Sequence, residues 1–393
     1  MRKNCAMGAA TTREKKKTMG AEFEDRYSRW ARFAFCLILL PFFVTVSLTA
    51  GGIGRSDRIS VVHAPHGGEP VEAKVGPDGT IHLLYESKSD GIPYYVKSSD
   101  GGLTFSSAIP VVDRASRKPG LIFSGEALAV GQRDTICVAM STNNWKLKLA
   151  GVAEGLSFAT LAPEARVFAA VRSLNGQPNE GFSLAADERG DVVATWLDNK
   201  LYVNFSRDGG KTFTPNAEVN SSYDPCNCCT TRAVYGADGS LAVLYREETN
   251  NQRDMYVVIL KKNGQQLRTR ISSTLWQVNA CPMTYFSLAA TQNGYVAAWP
   301  TQGEIYFARM DRNGKVVPPG EVKTPGRTGM RTGLLALEVP DGQTLAAWKH
   351  QGELSWQLYS PEGHPLDAPH TIASSSSGTA GVVTQSGKFI LFQ

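Results

Sequence analysis

From residue 55 onward the chain alternates short apolar runs with polar, glycine-bearing turns, and almost no stretch repeats its apolar residues at the 3.6-residue spacing of a helix. What recurs is a turn followed by a short apolar-aromatic strand, seven times over. The strands are Ile81–Tyr85, Thr135–Met140, Val192–Trp196, Leu241–Tyr245, Tyr295–Trp299, Thr344–Trp348 and Lys388–Phe392. Asp-Gly and Asn-Gly pairs precede most of them and supply the positive φ angles of a tight hairpin. The turn glycines Gly190, Gly239, Gly294, Gly342 and Gly387 lie 49, 55, 48 and 45 residues apart. A period of about 45–50 residues with several strands per unit is the pattern of propeller blades. The expected fold is therefore an all-β propeller of seven blades, with six the alternative if the C-terminal pair lies outside the ring. The unpaired run Ile59-Ser60-Val61-Val62 is expected to complete the seventh unit and close the ring, which removes exposed sheet edges. The aromatics Tyr85, Trp196, Tyr245, Trp299 and Trp348 recur in register and read as blade core.

The first fifty residues differ from the rest. Residues 33–50 are an uncharged run interrupted by Pro41, preceded by a basic segment and followed by small residues. That order suits a secretory signal or a retained N-terminal anchor. Either way the body, residues 55–393, is expected to be exported as one propeller domain, to the periplasm or cell surface or beyond, with the membrane touched only through residues 1–50. Composition agrees with a folded body: 42% of residues are hydrophobic and 20% charged. Residues 1–50 hold nine Lys/Arg and four Asp/Glu, so the net charge of +5 comes entirely from that segment, and residues 51–393 are neutral. A neutral body gives no electrostatic support to nucleic-acid binding.

Two octapeptides match each other, Ser98-Ser99-Asp100-Gly101-Gly102-Leu103-Thr104-Phe105 and Ser206-Arg207-Asp208-Gly209-Gly210-Lys211-Thr212-Phe213. Both are expected between the third and fourth strands of a blade, where Asp accepts turn amides, Gly permits the turn and the aromatic anchors the hairpin. Glu154-Gly155-Leu156-Ser157-Phe158 reads as a worn third copy. The octapeptides, with Asp100, Gly102, Thr104 and Phe105 matching Asp208, Gly210, Thr212 and Phe213, resemble the Asp box of the bacterial neuraminidase repeat, and the body resembles the Asp-box sialidase superfamily. That resemblance implies a propeller, and in its catalytic members three arginines that grip a carboxylate, a tyrosine nucleophile paired with glutamate, and an aspartate acid/base. Here the early Arg-Ile-Pro motif is missing; Asp57-Arg58-Ile59-Ser60 is the nearest stretch. The expected role is therefore a ligand-binding or scaffold protein. A glycoside hydrolase acting on acidic glycans is the alternative, and metal handling a weaker one.

The innermost strand of each blade starts near one mouth of the central channel, about ten residues before each turn glycine. Those positions bring Glu69, Glu72, Glu126 and Glu180 from the first three blades, Arg232 from the fourth and Arg331 from the sixth. Together with Arg246 and Arg253 these are the candidates for binding a glycan, another small ligand or a protein partner. The same positions bring Cys226, Cys228 and Cys229 of Tyr223-Asp224-Pro225-Cys226-Asn227-Cys228-Cys229, and Cys281 of Ala280-Cys281-Pro282, to adjacent blades. Cys-x-Cys-Cys with Ala-Cys-Pro, followed by Tyr245-Arg246 and Arg253-Asp254, resembles an exported branch of sialidase-like proteins. In an exported chain these thiols are expected to form disulfides, with the pairing open. No cofactor is expected; a soft metal, copper or zinc, is an alternative occupant, and a reactive thiol a third. Cys137 reads as a buried free thiol, and His63 and His66 as solvent-facing loop residues.

Overall fold

The structure is a computed structural model, described for residues 58–393 apart from 116, 151, 153, 154, 175–179 and 188, and through the backbone alone at 132, 145 and 180. The expected signal or anchor, with Cys5 and Cys36, lies outside the described residues. Among the described residues no helix is long and apolar enough to cross a membrane.

Seven sheets account for the described strands. Six are four-stranded antiparallel meanders, and the seventh pairs Ala380–Val383 with Phe389–Phe392 and adds Ile59–Val62. That last strand runs parallel to Phe389–Phe392, with Ile59 opposite Phe389 and Val62 opposite Phe392. The innermost strands, Glu69–Val75, Phe123–Val130, Glu180–Ala186, Arg232–Tyr235, Ser287–Ala290, Leu334–Glu338 and Ala380–Val383, touch one another in chain order, and the last touches the first. The ring is thus closed by the N-terminal strand, as expected, and the count is seven. Each recurrent apolar strand is the second of its blade, sandwiched between two neighbours. Tyr85, Trp196, Tyr245, Trp299 and Trp348 are all buried in the seams between sheets and not in the channel.

The octapeptide turns do stand between third and fourth strands. In the second of them, Asp208 Oδ1 accepts hydrogen bonds from Ser206 Oγ (2.7 Å) and the amides of Lys211 and Thr212 (both 2.9 Å), while Thr212 Oγ1 donates to Oδ2 at 2.6 Å. The first repeats the arrangement around Asp100, whose carboxyl these donors hold down at about 2. The aromatics reach further than the hairpin they close. Phe213 packs edge-on against Phe158 of the preceding blade at 5.3 Å, and Phe105 meets Phe392 of the seventh blade at 6.3 Å. The turn is therefore a clasp between blades as well as a hairpin. The third copy is not one: Ser157 and Phe158 begin the third strand of blade 2, Ser157–Leu161, because a longer connection with the helical turn Asn144–Leu147 separates that blade's second and third strands.

The clasp makes a stability prediction. Gly209 and Gly210 both have φ in the left-handed region, +72° and +86°, but a Cβ at Gly209 meets nothing within 4 Å, whereas at Gly210 it would meet Phe158 Cζ at 3.0 Å and Cys137 Sγ at 3.2 Å. Each Gly→Ala change should cost about 1–2 kcal/mol for the backbone conformation. Gly210→Ala should lose more than Gly209→Ala, because Phe158 and Cys137 are buried and cannot move aside. Denaturant unfolding of the two variants side by side checks the order; equal losses would mean that the turn does not press on blade 2.

Candidate functional site at the opening face

Since every blade has the same strand order, the innermost strands all start on one face, and the loops before them converge there. The channel behind holds a cavity of about 480 Å³ lined by all seven innermost strands. Its wall is mostly Ala, Val and Leu, with Glu72, Lys74, Glu126, Arg232 and Glu338 as the charged exceptions. Glu126 is the extra residue of a bulge, since the register shifts between Gly125 and Ala127. A bulge re-aims a side chain, and here it turns a carboxylate into the channel. Glu72 serves the architecture: it accepts the Leu128 amide of the next blade at 2.6 Å and pairs with Lys74 at 2.6 Å. Glu180 begins its strand at the same face, paired with Leu197.

Arg232 and Arg331 stand at the mouth. Arg232 donates from Nη1 to its neighbour's carbonyl, Thr231 O, at 3.0 Å, and the exposed Arg331 guanidinium lies 3.9 Å from Met283 Sδ. Among the described residues neither guanidinium has a carboxylate at ion-pair distance. Tyr285, which no sequence argument singled out, lies close enough to feel both charges. Its pKa is raised by burial first, and it feels Glu126, Arg232, Arg331 and Glu86. Glu86 was missed as well. It ends the second strand of blade 1 opposite Glu69, and its Oε1 accepts the Gly125 amide at 2.8 Å. Burial pushes its carboxyl up to about 7, and the charges of Glu126 and Glu69 add to the shift against that one hydrogen bond. The signal for Glu86 was its place: strand ends that pair with innermost-strand starts share their mouth.

Arg246 and Arg253 belong elsewhere. They do not line the channel but meet the cysteines in the seam between blades 4 and 5. The central strands of blade 4, Leu241–Thr249 and Gln252–Leu260, are the longest among the described residues, and the overhang carries this cluster. Along it Glu247 and Asp254 share one side and are taken up by Arg268 and Arg270. Arg246 faces the other way and is fully buried. It donates to Pro300 O (2.6 Å), Arg253 O (3.1 Å) and Thr284 Oγ1 (3.5 Å) and lies 4.9 Å from the Trp276 ring centre, without any carboxylate partner among the described residues. The groups that favour its charge are the sulfurs of Cys229 and Cys226.

The segment around Pro225 bridges onto Glu247 and turns back on itself, with the Cys229 amide donating to Cys226 O at 3.0 Å. That turn sets Cys229 Sγ 3.4 Å from Cys226 Sγ, with Cys229 the donor, and Arg253 Nη1 donates to Cys226 Sγ at 2.9 Å. The hydrogen bond from Cys229, then Arg253 and Arg246, hold the Cys226 thiol down at about 7 against the cost of burial, while Cys229 is pushed well above its ordinary value. Of the four expected cysteines one disulfide forms, Cys228–Cys281, with Cα atoms 6.5 Å apart, and it staples the openings of blades 4 and 5. Cys226 and Cys229 are buried free thiols, so the expectation of full pairing is corrected. The sulfurs of Cys226, Cys229 and Cys281 lie within 4.8 Å of one another, a set that could serve a soft metal only once the disulfide is reduced. Cys226 and Cys229 are also a Cys-x-x-Cys pair, a spacing masked in the sequence by the intervening Cys228. Cys137 is a buried free thiol with its pKa raised to about 12 by burial, and His63 and His66 are exposed, both as expected.

No protein-family model and no curated protein sequence matches the chain. Solved structures do match in fold. The Dos1 propeller aligns with TM-score 0.50 and 11% identity over 82% of this chain and 78% of that one. The α-L-arabinofuranosidase Arb93A from Fusarium graminearum, in complex with an iminosugar inhibitor, aligns with TM-score 0.48 and 14% identity over 81% and 98%. The Aleuria aurantia lectin, a six-bladed fucose-binding propeller, aligns with TM-score 0.48 and 9% identity over 79% and 96%. This chain is a seven-bladed β-propeller. Likeness at these identities is one of fold, so function must be argued from the site.

Proposed function

We propose that this is an exported propeller of the Asp-box, sialidase-like kind that binds a carboxylate-bearing ligand, an acidic glycan, at the mouth of its channel. The observation that carries the reading is that two guanidiniums of the opening face, Arg232 and Arg331, both reach Tyr285 electrostatically and have no carboxylate at ion-pair distance among the described residues. Such groups are suited to a planar anion. The two octapeptide clasps support the kinship, and the basic, then apolar, N-terminal segment supports export.

A second reading, hydrolysis, is favoured by one feature: Tyr285 lies close enough to Glu126 and Glu86 to feel their charge, and Glu86, raised to about 7, keeps its proton in part at neutral pH. A tyrosine nucleophile with a carboxylate base, next to a second carboxyl that can give a proton, is the equipment of sialidase-type glycoside cleavage. Only two arginines converge, however, which weakens the grip a catalytic site needs, so binding is the primary reading. Incubation with a fluorogenic sialoside and with the matching uronide separates the two. Saturable binding without fluorophore release is expected. Release that is lost in Tyr285→Phe would make the protein a hydrolase, and neither binding nor release would remove the acidic-glycan reading.

A further inference from the structure

The four sulfurs between blades 4 and 5 are more than a staple. We propose that they form a thiol–disulfide exchange site, in which Cys226 transfers the disulfide from the half-buried Cys228–Cys281 pair to the buried Cys226–Cys229 pair. Cys226 Sγ stands 3.7 Å from Cys228 Sγ and 3.4 Å from Cys229 Sγ, so both successive partners are already in contact with it. Besides the hydrogen bond from Cys229, two cations favour its ionisation, Arg253 through a direct 2.9 Å hydrogen bond and Arg246 through its buried charge. Arg246, fully buried with no carboxylate among the described residues, favours an anionic sulfur beside it: the Cys229 and Cys226 sulfurs are what support its charge.

The chemistry balances without an outside oxidant. The Cys226 thiolate attacks Cys228 Sγ, the Cys226–Cys228 bond forms, the Cys228–Cys281 bond breaks, and its electron pair leaves on Cys281 as a thiolate. Cys281 takes up the proton given by Cys229. The Cys229 thiolate then attacks Cys226 Sγ, closing Cys226–Cys229 and expelling Cys228 as a thiolate. Two thiol sulfurs, one of them ionised, and one disulfide stand on each side. The division of labour follows the environments: Cys226 is the nucleophile and Cys229 the resolving thiol. Cys228 and Cys281, both partly exposed, are the sulfurs that a small dithiol or disulfide from solution can reach. In the exchanged isomer the covalent tie between the two blade openings is gone and a pair of thiols faces outward. Arg253 acts as a positioning residue.

The test uses the full chain with glutathione as the probe. Protein equilibrated to one disulfide per body is quenched in acid, alkylated after unfolding, and mapped by mass spectrometry. Both Cys228–Cys281 and Cys226–Cys229 linkages are expected in that population, and Cys229→Ser should accumulate the Cys226–Cys228 intermediate. Should that variant fail to fold, prolonged alkylation of the native wild-type protein gives the same information. It should trap chains alkylated at Cys228 and Cys281 and bridged between Cys226 and Cys229. A one-disulfide population linked only through Cys228–Cys281, unchanged by prolonged alkylation, overturns the proposal. So does a population that keeps zinc or copper on Cys226 and Cys229, which would make the cluster a metal site instead.

Discussion

Arg246→Ala should be the most damaging single substitution in the body, with a loss of about 3–5 kcal/mol in denaturant unfolding. The guanidinium is fully buried, bridges blade 4 to Pro300 O and Thr284 Oγ1 of blade 5, and covers Trp276. Truncation removes three donor contacts, leaves those acceptors unpaired and opens a cavity, each a recognised source of large losses. It also strips the Cys226 thiolate of one of its two cations, so the thiol should titrate higher in the variant. The contrast is Arg331→Ala at the mouth. That side chain is exposed and holds no carboxylate among the described residues, so its removal should stay within about 0.5 kcal/mol. A small loss at Arg246 would mean that the seam between blades 4 and 5 is wet and that the sulfurs need no counter-charge.

Glu86→Gln should change how stability depends on pH. In the folded protein burial holds the Glu86 carboxyl protonated up to about 7, against 4.5 for an ordinary glutamate. Below pH 4.5 both states keep the proton and nothing is lost. Between there and 7 the unfolded chain releases a proton that the folded chain keeps, so stability falls as pH rises, by up to about 3 kcal/mol at ~1.4 kcal/mol per pH unit. Glutamine keeps the oxygen that accepts the Gly125 amide but cannot ionise. The variant should match the wild type near pH 4 and exceed it at pH 8. Ligand binding should move the same way: with Glu69 and Glu126 as the neighbouring carboxylates, protonating Glu86 removes one negative charge from the mouth. An anionic ligand should then bind more tightly at pH 6 than at pH 8. Parallel stability curves for the two proteins across that range would show that Glu86 is solvated.

The fold could be read from the chain to an unusual extent, because one signal was repeated seven times. Each recurrent strand is the buried second strand of a blade, and burial on both faces produces the unbroken apolar runs that mark it. The closing strand at residues 59–62 was equally clear, since it was an apolar run with no partner. The site was legible in part. Arg232 and Glu126 line the channel from innermost strands, and the cysteines do meet between adjacent blades, though in the seam and not in the channel. Arg246 and Arg253, named as ligand candidates, stand with the cysteines and not in the channel, because sequence spacing gives height in a blade but not distance from the axis. Both stand on the overhang of blade 4, outside the innermost strand. Glu86 and Tyr285 escaped notice for the opposite reason. One ends a second strand and the other lies in a loop, so neither belongs to the recurring pattern.

The most direct test of the central claim is a crystal structure of the protein with sialyllactose bound. The carboxylate should lie between the Arg232 and Arg331 guanidiniums, with the sugar ring over Tyr285 and Glu86 within hydrogen-bond reach. A sugar seated elsewhere on the ring, or one whose carboxylate points to solvent, would contradict the assignment of this mouth as an acid-binding site.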